Sequence, residues 1–215
     1  MKLEIDSLRQ KENSVDCILV CTQMVLGYFN KPKTLAEIKK SVKMYKIGSY
    51  IPQLGIYIQT QGFKTEIVTL HPQLFTKQDE TMTQLEVHQR LGQRKQAFEK
   101  TPKYTALIHF VNYLKSGGKV TPKIPNFTVI EQAIAAGNPI ICSYTSNFLV
   151  GKEPKFNYHS AVITGIDEKY IYVNDPLWDY RGGEQRYLRE DFLYALYGCL
   201  SPDADNGCLM IVSKR

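Results

Sequence analysis

Cys17, His159 and Asp175 are the residues of this sequence whose types and order could run thiol chemistry on an amide. That chemistry needs a thiol as nucleophile, an imidazole to take its proton, and a carboxylate or amide to orient the ring. Cys17 heads the apolar run Cys17-Ile-Leu-Val-Cys-Thr-Gln-Met-Val-Leu-Gly-Tyr28-Phe29, directly after the polar stretch from Gln10 to Asp16. His159 opens His159-Ser-Ala-Val-Ile-Thr-Gly-Ile-Asp167, and Asp175 ends Tyr170-Ile-Tyr-Val-Asn-Asp175 ahead of Pro176.

The elements that must position these groups follow from local pattern. Residues 17 to 29 carry no charge and only Thr22 and Gln23 as polar side chains, so they read as a helix buried on nearly all sides and too short to span a bilayer. Asp16 is a natural N-cap, which starts the helix at Cys17. The orphan N–H groups and dipole of a first turn favour a thiolate. The charge of Asp16 opposes it, so a base is needed from elsewhere. His159 to Ile166 and Tyr170 to Val173 flank the turn at 167–169 and read as a hairpin. Counting out from that turn brings His159 and Asp175 to the same end of the ribbon, within a residue or two of register. A one-residue slip turns a strand side chain to the other face, so either Asp175 or Asn174 faces the ring.

The other elements are simpler. Thr34-Leu-Ala-Glu37 is a capping box for a helix to about Met44. Pro52, Leu54 and Ile58 mark a third helix ending near Gly62, and Phe63 to Leu70 a strand. Residues 76–125 read as a helical insertion: Met82, Leu85, Leu91 and Phe98 form one stripe, and Tyr104 to Leu114 a stronger helix stopped by Gly117-Gly118. Thr128-Val-Ile-Glu131 is a second capping box, its helix closed by Gly137 and Pro139. Strands follow at Ile140–Tyr144, at 185–188 and at Cys208–Val212, with a short helix over 190–197. Helices first and an antiparallel sheet after make an α+β fold in one domain of 215 residues.

These pieces carry a resemblance. Gln10, Asp16-Cys17 and Met24 to Tyr28, then Ala133-Ile-Ala-Ala-Gly-Asn-Pro139, His159 to Asp167, Tyr172-Val-Asn-Asp-Pro176, and Arg186 with Phe192 resemble the C39 family of papain-like cysteine peptidases, the double-glycine peptidases, and their freestanding relatives. The resemblance covers roughly 5–70 and 128–200 and leaves out the middle block. It implies a papain-like fold, a peptide or protein substrate, and a hydrolase with Cys17 as nucleophile, His159 as general base and acid, Asp175 as orienting residue and Gln10 in the oxyanion hole. Two features depart from the family pattern: Ile18 follows the cysteine where Gly is usual, and Gln10 lies one residue farther upstream than is common. An acyltransferase using the same triad and an inactive peptide-binding module are the alternatives, Ile18 favouring the latter.

Composition bounds the rest. Net charge is +6, and residues 76–123 hold nine Lys/Arg against four Asp/Glu, a surface that suits solvent or an acidic partner. That block lacks the aromatic interleaving of a nucleic-acid groove. Five cysteines without paired spacing, no signal peptide and no membrane-length apolar run point to a reduced, cytoplasmic protein, with export lacking a cleaved signal left open. Cys17 and Cys21 are one helical turn apart, but no further cysteines or histidines stand at ligand spacing, so no metal and no cofactor is expected. No transporter segment is attached, and Gly117-Gly118 and Gly182-Gly183 read as turns, not as self-cleavage sites.

Overall fold

The computed structural model describes residues 1–201 and 203–215. Three helices come first: α1 (Cys17–Tyr28), α2 (Leu35–Ser41) and α3 (Ile51–Thr60). Strand β1 (Phe63–Thr69) follows, then a 3-10 turn (Lys77–Thr81), α4 (Gln84–Ala97), α5 (Tyr104–Lys115), β2 (Lys119–Pro122) and α6 (Phe127–Ala135). The C-terminal half holds β3 (Ile140–Tyr144), α7 (Ser146–Val150), β4 (His159–Ile166), β5 (Tyr170–Asp175), β6 (Gly183–Leu188), α8 (Arg189–Gly198) and β7 (Leu209–Lys214). Seven strands form one sheet in the order β2-β1-β7-β3-β4-β5-β6. Among the described residues only the β1–β2 pair is parallel. This is the expected α+β architecture, with the C-terminal strand threaded into the middle of the sheet.

Burial explains the layout. Ile18, Leu19, Val20, Met24, Val25 and Leu26 of α1 are buried together with every residue of β4, on which the helix packs. A strand covered on both faces reads as a continuous apolar run, and Ala161-Val-Ile163 at its centre fits that description. Gly165 is required by a close crossing: a Cβ there would stand 2.7 Å from the Met1 carbonyl, because Lys2 forms a bridge with Gly165. The capping box of Thr34 and Glu37 is formed, and Gly137 takes the left-handed conformation at φ 73°.

Three local expectations are corrected. The helix α6 is capped by Asn126, whose side chain accepts from Val129 N–H, and not by Thr128; Glu131 is drawn off to Arg189 at 2.7 Å. The block 76–125 is not wholly helical, since β2 leaves it to pair with β1 at the edge of the main sheet. Its buried stripe is Val87 and Leu91, and Leu85 points to solvent at 67% exposure. Its basic charge is partly spent at home, with Lys77 on Glu80, Arg90 on Asp79 and Lys119 on Glu66. No helix among the described residues is long and apolar enough to cross a membrane.

Candidate active site

Cys17 is the first residue of α1 and His159 the first of β4, so helix–sheet packing sets thiol against imidazole. The two side chains line the same cleft, and the imidazole is close enough to act on the thiol's titration. On its far side the ring Nε2 lies 2.9 Å from Asp175 Oδ1. With Nε2 held by the carboxylate, Nδ1 is the nitrogen left for the sulfur. Asp175 is fully buried and held from three directions: it also accepts from the Tyr144 hydroxyl at 2.5 Å and from Leu177 N–H at 2.8 Å. Asn174, the other residue that could have faced the ring, sends its amide to the Ile5 carbonyl at 2.7 Å.

The electrostatics favour a charged pair. Burial pushes the Cys17 thiol up, but the His159 hydrogen bond and charge, helped by Ser160, outweigh it and leave the thiol below its ordinary range. Burial also works against a protonated His159, and there the Asp175 carboxylate wins and raises the imidazole to about 10. All five cysteines are free, and Cys21, Cys142, Cys199 and Cys208 are shifted up by burial, the opposite direction to Cys17.

Asp16 stands at the N-cap position but its side chain makes no capping bond, which corrects the expected cap. It pairs with Lys39 Nζ at 2.8 Å. The negative charge that opposed a thiolate is thereby compensated. Ile18 is 1% exposed, sits in the core and is absent from the walls of the cleft beside Cys17. A bulky residue after the cysteine therefore leaves the mouth of the site clear.

Gln10 is less directly engaged. Its Nε2 donates to the Ser14 carbonyl at 2.6 Å, and its backbone N–H donates to the Pro176 carbonyl at 2.7 Å, which ties it to the segment just after Asp175. Its Oε1 is buried without a partner among the described residues. The additional residue between Gln10 and Cys17 is taken up in a turn closed by Ser14 N–H to Lys11 O, with Asn13 left-handed at φ 56°. Sequence reasoning missed Tyr144, Lys39 and Ser160, which act only through long-range contacts. It also missed the cleft's other wall.

That cleft is narrow, about 50 Å³, and its walls include Cys17, His159 and Ser160 together with Tyr50, Tyr158, Asp203, Asp205 and Asn206. Among the described residues no group of three or more His, Cys, Asp or Glu is placed to hold a metal ion.

Residues 2–199 match the model of the Peptidase_C39 like family. The chain belongs to that family. The C39 match runs through the middle block, which the motif-level resemblance had left out. No curated protein matches the chain by sequence. Among solved structures, a double glycine motif protease from an AMS/PCAT transporter, in complex with the leader peptide, is similar at 14% identity and TM-score 0.52, covering 100% of this chain and 94% of that one. A candidate C39-like peptidase from Bacillus anthracis is similar at 14% identity and TM-score 0.57, covering 100% and 98%. Identities this low show the C39 papain-like fold and nothing finer.

Proposed function

We propose that this chain is a cysteine peptidase that hydrolyses a peptide amide through Cys17, His159 and Asp175. The observation that carries the reading is the meeting of Cys17 and His159 in one cleft, with His159 bonded to a buried, hydroxyl-braced carboxylate. Membership of the C39-like family supports the reaction class, and the leader peptide bound to a protein of similar fold supports a peptide substrate.

In this reading the Cys17 thiolate adds to the scissile carbonyl carbon. The oxyanion meets the N–H groups that the first turn of α1 leaves without intrahelical partners. Gln10 is assigned the second donor, which requires its amide to leave Ser14 or share its remaining N–H. Collapse breaks the C–N bond, the imidazolium of His159 gives its proton to the departing amine, and a thioester on Cys17 remains. Water then adds to the thioester as His159 takes its proton, releasing the acid and restoring the thiol pair. Asp175 keeps the ring donating from Nε2 throughout. The buried position of Ile18, 1% exposed, supports an active site over an inactive binding module.

The test is intact-mass measurement after brief iodoacetamide treatment near neutral pH. One adduct on Cys17, abolished in His159→Ala, is expected. Equal slow labelling of all cysteines, or a Cys17 rate indifferent to His159, overturns the reading.

A further inference from the structure

Besides the thiol and the imidazole, the cleft is lined by a segment that lies after residue 199, where the family match stops. Asp203, Asp205 and Asn206 line it at 7%, 5% and 3% exposure. Asp205 Oδ2 accepts from the Ile51 backbone N–H at 2.8 Å, at the start of α3. No ion pair is formed by either carboxylate among the described residues. Lys103 acts on Asp203 only through space. The Asn206 Nδ2 is buried with no acceptor among the described residues. Tyr50 and Tyr158 line the same cleft.

Two buried carboxylates without a cation, beside a buried amide donor without an acceptor, are costly unless a ligand completes them. A peptide carrying a basic side chain supplies both missing groups. Its ammonium or guanidinium meets the carboxylates and can lie against the tyrosine faces, and a backbone carbonyl takes the Asn206 N–H. We infer that Asp203, Asp205 and Asn206 form a specificity subsite for a lysine or arginine side chain adjacent to the scissile amide. This deepens the peptidase reading and rests on it.

The experiment uses tripeptide aldehydes that protect Cys17 from iodoacetamide, followed by intact mass. The aldehydes carry lysine, norleucine or glutamate at the last or the penultimate position. In the native protein, lysine in one of the two positions is expected to protect at a concentration about tenfold below norleucine, with glutamate weakest. Asp203→Asn and Asp205→Asn should each bring lysine close to norleucine, with thermal midpoints confirming that both variants are folded. Equal protection by lysine and norleucine in both positions, or a preference that survives both substitutions, overturns the subsite. If Cys17 is alkylated in a His159-dependent way and lysine still has no advantage, the subsite falls and the peptidase reading stands. If Cys17 shows no selective alkylation, both fall.

Discussion

His159 and Asp175 lie diagonally across β4 and β5, and a single extra residue brings them to the same face. Near the turn Ile166 pairs with Ile171 and Gly165 with Tyr172, but the next pair is Ile163 with Val173, so Thr164 is looped out. Without that bulge the parity would reverse and Asn174 would share the face of His159. Asp175→Asn therefore removes the charge facing the imidazole and should lower peptide turnover by on the order of 10²-fold while leaving slow alkylation of Cys17. Asn174→Ala instead strands the buried Ile5 carbonyl that it serves and should cost about 1–2 kcal/mol of stability with the pH profile unmoved. Thermal unfolding and pH-dependent alkylation of the two variants read both. A silent Asp175→Asn would deny it the orienting role.

The charged pair sets a pH window. The thiolate and imidazolium coexist above the lowered value of Cys17 and below about 10, where His159 loses its proton. Alkylation of Cys17 should stay fast below the ordinary thiol value of 9.0 and fall only on the acid side, whereas turnover, which also needs the imidazolium, should decline as pH rises toward 10. The same shifts bear on folding. His159 is raised, so its stabilising contribution is complete below 6.5 and lost as pH climbs through about 10. Cys17 is lowered, so its contribution is complete above 9.0 and lost as pH falls through its folded value. His159→Ala should abolish fast alkylation at neutral pH, since burial alone then acts on the thiol. A rate profile in His159→Ala equal to that of the native protein would contradict the pairing.

Lys39 is 40% exposed and Asp16 7%, so their bond adds little to stability, but it compensates a charge next to Cys17. Lys39→Met should slow alkylation of Cys17 near pH 7 by about threefold, a small effect because solvent screens the pair. Adding Asp16→Asn should restore the rate. Persistence of the slow rate in the double variant would mean that Lys39 acts by another route.

The buried Cys17 helix, the hairpin and the order of thiol, ring and carboxylate were legible because each is written in a local pattern. The choice between Asn174 and Asp175 was not. Every residue of β4 is buried, so alternation cannot report which face is which or reveal a bulge. Strand β2 is Lys-Val-Thr-Pro, too short and polar to announce itself, and it forms because β1 offers an edge. Asp16 looked like a cap because the competing Lys39 comes from the next helix. The acidic end of the cleft was hidden for the same reason. Asp205 and Ile51 are 154 residues apart in sequence, and nothing in either segment points to the other.

Asp205 gives the subsite a signature in stability. Burial, with the charge of Asp203 adding to it, raises its carboxyl to about 7, far above the ordinary 3.8. A folded value above the unfolded one means that the contribution to stability is complete below 3.8 and is lost as pH rises through about 7. At pH 8 the native protein therefore holds an ionised, uncompensated carboxylate. Asp205→Asn keeps an oxygen for the Ile51 N–H and discards that charge, so its thermal midpoint at pH 8 should exceed the native one by on the order of 5 °C. The gap should close by pH 4. A soluble amine such as lysine amide should raise the native midpoint at pH 8 more than the variant's, because the variant keeps only the Asp203 carboxylate to meet it. A variant less stable than the native protein at pH 8 would show that the carboxylate is already compensated within the fold and is not held ready for a ligand.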